Sequence, residues 1–127
     1  MYGCAGIALR GRGPYVLQAA IASLQTQAPI EWAEVALLYD RLAALTGSPI
    51  VELNRAVAVA QAGAPEKALE IVERLDLPDY RYLHSTRAEL LRRLDRPAEA
   101  ADAYRRALDL TEAEPEARFL RERLASL

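Results

Sequence analysis

The side chains able to do chemistry are few and scattered. His84 is the single histidine and Cys4 the single cysteine of the 127-residue chain. A nucleophile, a base and an orienting group cannot be assembled around His84 from spacing, so it reads as a structural or surface residue. One cysteine allows neither an internal disulfide nor a cysteine-based zinc site, which suits a reducing, cytoplasmic setting. Glu99, Asp102, Asp109, Glu112, Glu114 and Glu116 form a loose acidic run with no metal-binding spacing. They read as a solvated helix face carrying i,i+4 pairs such as Asp102 with Arg106. No cofactor, metal or catalytic set is expected.

Arg87, Arg92, Arg93 and Arg96 form a basic cluster near Arg105 and Arg106. Acids interleave with them, so an ordinary charged surface is expected. Lys and Arg total 16 against 18 Asp and Glu, a net charge of −2. That balance lacks the basic excess of a phosphate-binding surface, and direct nucleic-acid binding is not expected. No apolar run approaches the 18 or so residues of a membrane span. The opening MYGCAGIALRGRG puts its arginines after its apolar residues, the reverse of a secretory signal.

Asn54 is the polar residue that looks most placed, because it sits in the apolar stretch PIVELNRAVAVAQA. An unpaired amide in an apolar interior is costly. It either pairs inside the core or lines the concave groove with which paired-helix arrays hold a peptide. Thirty-two residues on, the same position is Thr86, with Tyr82, Ser85 and Glu89 nearby.

The elements that must position these residues are helices. Ala and Leu dominate and aromatics make up 6%, which favours helix packed on helix over a sheet core. In PAEAADAYRRALDL the positions Ala100, Ala103, Tyr104, Ala107 and Leu108 recur at spacings of three and four, one face of a helix. Shifted back by 32, Ala100 becomes Ala68, Tyr104 becomes Val72 and Pro97 becomes Pro65. A second shift takes Ala68 to Ala36. Ala56 matches Ala88, and Gly63 matches Asp95. The period is close to the roughly 34 residues of tetratricopeptide arrays. Alanines at these positions let helix backbones approach closely.

Caps and periodicity predict helices over 14–27, 31–46, 49–62, 65–76, 80–94, 97–111 and 115–126. In the second of these, Trp32, Val35, Ala36, Leu38, Tyr39, Leu42 and Leu45 are expected to face inward. Gly47 is expected to end it as a left-handed cap, with Ser48 and Pro49 restarting the chain. The helix over 49–62 is expected to be buried on most sides. In the last, Phe119, Leu120 and Leu124 share the expected core face. The chain therefore reads as an irregular segment, 1–13, followed by a single all-α domain, 14–127. Its expected form is a tetratricopeptide-like α-α superhelix of six to seven antiparallel helices.

GPYVLQAAIA (13–22), LYDRLAALTGSPIVELNRAVAVA (38–60) and the stretch from YLHSTRAELLRRL to FLRERL (82–124) carry a resemblance. They are similar to the tetratricopeptide-like C-terminal extension of a subgroup of extracytoplasmic-function (ECF) RNA polymerase sigma factors. In that family two promoter-reading regions precede this domain. Residues 1–12 cannot supply them, so the resemblance implies the extension alone. It implies a regulatory, non-enzymatic role in transcription initiation, exerted through protein contacts with the sigma regions or the polymerase core. Tyr15, Gln18, Asp40, Asn54 and Arg55 match the family and are candidates for contact or for family-specific packing. The expected partner-binding residues are Asn54, Arg55, Tyr82, Ser85, Thr86 and Glu89. A homo-oligomer is compatible with the sequence. The rival reading is a stand-alone repeat adaptor that binds a peptide or protein.

Overall fold

A computed structural model describes residues 30–127. The segment 1–13, the helix expected over 14–27, and Tyr15 and Gln18 lie outside the described residues. The described residues form six helices and no strand: α1 Trp32–Thr46, α2 Pro49–Gln61, α3 Pro65–Glu73, α4 Arg81–Arg93, α5 Pro97–Asp109 and α6 Glu114–Ala125. The chain divides into two compact units, 1–64 and 65–127.

Local chemistry sets the helix ends. Gly47 takes a left-handed φ of 64°, and its N–H donates to the Ala43 carbonyl at 2.7 Å. Ser48 is extended, and its Oγ accepts from the Val51 N–H at 3.4 Å, with Pro49 in the first turn. After α2, Gly63 has φ 107°; after α4, Asp95 has φ 58°. Both sites close the same way. The Gly63 N–H donates to Ala60 and the Ala64 N–H to Val59; the Asp95 N–H donates to Arg92 and the Arg96 N–H to Leu91. This is the paired bonding of a Schellman motif, repeated 32 residues apart.

The helix α3 stops at Glu73, three residues short of its expected end. Arg74 and Leu75 instead donate to Ile71 and Val72, the tighter i to i−3 pattern of a fraying last turn. Pro78 lies just beyond and disfavours a helical Leu77.

In the first unit, α1 packs on α2. Val35, Leu42 and Ala58 are buried together, with Trp32, Ala36, Leu38, Tyr39 and Val51 packed around them. Leu45, expected to face inward, is 59% exposed. It belongs to the last turn of α1, at the edge of the stripe that Val35 and Leu42 define. The helix α2 is not buried on most sides as expected. Leu53, Ala56, Ala58 and Ala60 are buried, but Ile50, Asn54, Val57 and Gln61 form an exposed face at spacings of four, three and four.

In the second unit, each helix packs on its sequence neighbour: α3 on α4, α4 on α5, α5 on α6. Ala68, Ala88, Ala100 and Ala107 are fully buried. Each methyl allows a close helix approach that a larger side chain would prevent. Tyr104 is the largest fully buried side chain. Val72, its counterpart 32 residues earlier, is also buried, and burying a side chain of that kind contributes about 1.5–3 kcal/mol. Ala36, two shifts before Ala100, is only half-buried, so the echo weakens in α1. In α6 the core face is Ala117 and Leu120, with Leu124 half-buried; Phe119, expected on it, is 45% exposed.

Candidate functional site

The residues expected to bind a partner fall into two groups, one in each unit. In the first unit Asn54 is exposed, between Ile50 and Val57 on the open face of α2. Its interior reading is therefore set aside. Arg55 turns away from that face. Its Nε donates to Glu52 Oε1 at 2.7 Å and lies 3.8 Å from Asp40 Oδ1. The bond to Glu52 raises the Arg55 pKa above its ordinary value. Arg55 and Asp40 thus link α2 to α1, which gives both an intramolecular role.

In the second unit, Tyr82 and Ser85 of α4 come together with Pro115, Glu116, Phe119 and Leu120 of α6. With Arg81 and Thr111 they line an open groove of about 410 Å³. Tyr82 is 43% exposed. The Arg81 guanidinium lies 4.5 Å from the centre of its ring, and the Tyr80 ring meets it edge-on at 5.4 Å. Arg81 Nε donates to Glu116 Oε2 at 3.0 Å, a charged strut between α4 and α6. That bond raises the Arg81 pKa above its ordinary value.

The polar side chains of the groove each make a hydrogen bond within the chain. Arg81 Nη2 donates to the Tyr82 hydroxyl at 2.9 Å, Ser85 Oγ to the Tyr82 carbonyl at 3.3 Å, and Thr111 Oγ1 to the Ala107 carbonyl at 2.7 Å. What remains for a visitor is mostly apolar surface. Such a groove can take up a hydrophobic side chain.

Glu89 is turned to internal use. The Tyr104 hydroxyl donates to its carboxylate. Arg92 Nε lies 3.5 Å and Arg123 Nε 3.3 Å from the same oxygen, Oε2. Glu89 therefore ties α4 to α5 and α6. Thr86 is half-buried on α4.

The scattered chemistry of the sequence resolves into struts. A His84 ring nitrogen donates to the Pro78 carbonyl at 2.7 Å, and Arg106 reaches the same carbonyl at 3.3 Å and Asp79 at 3.2 Å. Arg106 therefore does not pair with Asp102 as expected. Asp102 is met by Arg105, three residues on, at 3.2 Å, and Arg106 is drawn to the turn before α4. The basic cluster is likewise engaged: Arg87 with Glu73, Arg92 with Glu89, Arg96 with Glu99. Among the described residues no group of three His, Cys, Asp or Glu could hold a metal ion, and no helix is long and apolar enough to cross a membrane.

Sequence reasoning missed the α6 wall of the groove. Ala117, Leu120 and Leu124 keep the three-then-four spacing of a core stripe, and Phe119 lies off it. That offset was the available signal. Nothing in the sequence said that α4 would stand opposite.

No family model matches the chain. An uncharacterized protein of Rhizobium meliloti (strain 1021) is 44% identical to it over 124 residues, which cover 93% of this chain and 29% of that protein. The chain thus spans under a third of the length of the relative it matches.

Proposed function

We propose that this chain is a non-enzymatic protein-interaction module, equivalent to the tetratricopeptide-like C-terminal extension of an ECF sigma factor. It would modulate transcription initiation through protein contacts with the sigma regions or the polymerase core. The observation that carries the interaction reading is the α4–α6 groove. Its polar side chains each bond within the chain, and Tyr82 and Phe119 stand half-exposed on its walls. Exposed aromatics beside an apolar recess are typical anchors for a protein partner.

The array reading is supported by the 32-residue return of the Schellman closures, of proline at the following helix start, and of fully buried alanine at 68 and 100. The sigma-factor assignment rests on the sequence resemblance. The length of the Rhizobium relative is in keeping with a role as one part of a larger chain. The test is retention of the sigma regions or core polymerase on the immobilised chain at low salt. Retention of either, lost on Tyr82→Ala, is expected. Retention of neither would remove the transcription reading.

A further inference from the structure

Resting on the α4–α6 groove as a protein-binding site, we propose that Arg92 and Arg123 form a site for carboxylate groups at its end. The groove then takes a segment that carries acidic side chains beside a hydrophobic one. These two arginines differ from the others in their charge balance. Arg87 hydrogen-bonds Glu73, Arg96 bonds Glu99 and Arg121 bonds Glu114, one cation to one anion. Arg92 and Arg123 instead share a single oxygen, Glu89 Oε2, which also accepts the Tyr104 hydroxyl. One positive charge is left over.

Their hydrogen-bonding capacity is open as well. The two Nε atoms are buried 3.5 and 3.3 Å from that oxygen, and neither makes a hydrogen bond. The four Nη atoms bond to no described residue, and none of them is buried. The side chains as a whole are 35% and 34% exposed. Each guanidinium therefore faces Glu89 with its inner edge and turns its Nη groups to solvent. Such a fork matches a carboxylate in two-point contact. Glu89, held by Tyr104, sets where both forks stand.

The arginine pair adjoins the groove. Arg123 Cζ lies 5.0 Å from the centre of the Phe119 ring, which is one wall of the recess. On α4, Glu89 and Arg92 follow the lining residue Ser85 by four and seven positions, along one face of the helix. At the start of the two helices Arg81 and Glu116 neutralise each other. A hydrophobic side chain in the recess thus has surplus positive charge on one side only. A lysine or arginine beside it would be repelled there; an aspartate or glutamate is the complement.

The test uses a probe with blocked ends, acetyl-Leu-Ala-Glu-Glu-amide, and its Gln-Gln counterpart. Binding to the 127-residue chain is followed by NMR, through amide and arginine Nε–H resonances. In about 20 mM salt the Glu probe is expected to bind at least about fivefold more tightly than the Gln probe. It should shift Phe119 and the Nε–H signals of Arg92 and Arg123. In about 500 mM salt the preference should vanish. Arg123→Gln leaves Glu89 with Arg92 and Tyr104; it should abolish the preference and leave binding of the Gln probe unchanged. Arg105→Gln, which removes an exposed cation of α5, should retain the preference. Circular dichroism checks that both variants remain helical. No binding of the Glu probe, equal binding of the two probes at low salt, a preference that survives high salt, or equal loss in both variants would each overturn the proposal. The polymerase experiment fails separately: retention without the Glu preference sinks the arginine site alone, and the preference without retention sinks the transcription reading alone.

Discussion

Gly63 and Asp95, 32 residues apart, occupy the same place in the same backbone motif. Both have positive φ, and each donates its N–H back to the carbonyl three residues earlier, on Ala60 and Arg92. One is the residue for which that conformation is free; the other is an L-residue that tolerates it. Asp95→Gly should therefore stabilise the chain by about 1 kcal/mol. Gly63→Val should destabilise it by about 1–2 kcal/mol, although a Cβ at Gly63 would meet nothing within 4 Å. The cost is conformational rather than steric. Urea melts check it: the two midpoints should move in opposite directions at constant slope.

Ala100 is fully buried where α5 packs in its unit, and Asp109 is exposed near the end of the same helix. Ala100→Trp should cost roughly 1–3 kcal/mol or more through overpacking. Asp109→Trp should change stability by less than about 0.5 kcal/mol. Equal melting temperatures for the two variants would contradict the phase of α5.

Tyr104 donates from a fully buried ring to Glu89, which two arginines also approach. Tyr104→Phe keeps the packing and removes the donor, so it isolates the hydrogen bond. The expected loss is about 1.5–3 kcal/mol, the range for a bond to a charged group. A thermal melt indistinguishable from that of the parent would show that the hydroxyl carries no weight.

Arg96 Nε and Nη2 donate to the two oxygens of Glu99 at 3.0 and 2.7 Å. That bond holds the Glu99 carboxyl below its ordinary pKa. A depressed carboxylate pKa contributes stability that is present above the unfolded-state pKa and is lost as pH falls through the folded one. The pair is solvent-exposed, so its effect on a melt will be slight. The sharper readout is an NMR titration of the Glu99 carboxyl carbon. In Arg96→Gln its midpoint should move up towards the ordinary value; an unmoved midpoint would rule out Arg96 as the cause.

Ser48 supplies the one side-chain acceptor for the first turn of α2, meeting the Val51 N–H. Ser48→Ala should cost about 1 kcal/mol and Ser48→Asp should restore most of it. Unfolding midpoints of the three proteins would decide the point.

The helices themselves were legible in the sequence. Gly47, Ser48-Pro49, Gly63, Pro65 and Pro97 act through their own backbone preferences, so their positions in the sequence mark the helix ends in the fold. The alanines at 68, 88 and 100 were legible too, because a methyl at helical spacing has few uses other than close packing. Periodicity says which residues share a face; it does not say how wide the covered part of that face is. Leu45 and Phe119 were misplaced for that reason, and the two readings of Asn54 stayed open. Each lies at the margin of an apolar stripe, and its burial depends on how far the neighbouring helix extends over it.

The sequence by itself determined that the described residues are all-helical, the ends of most of their helices and the small residues on which they cross, since these follow from dihedral preference and side-chain size. Only the tertiary structure decided that Tyr82 and Phe119 share a groove and that Arg106 reaches Asp79 rather than Asp102. It also turned Glu89 inward on Tyr104. Those outcomes belong to residues far apart in the chain, and their distances are set by the packing of whole helices, a quantity no local pattern encodes.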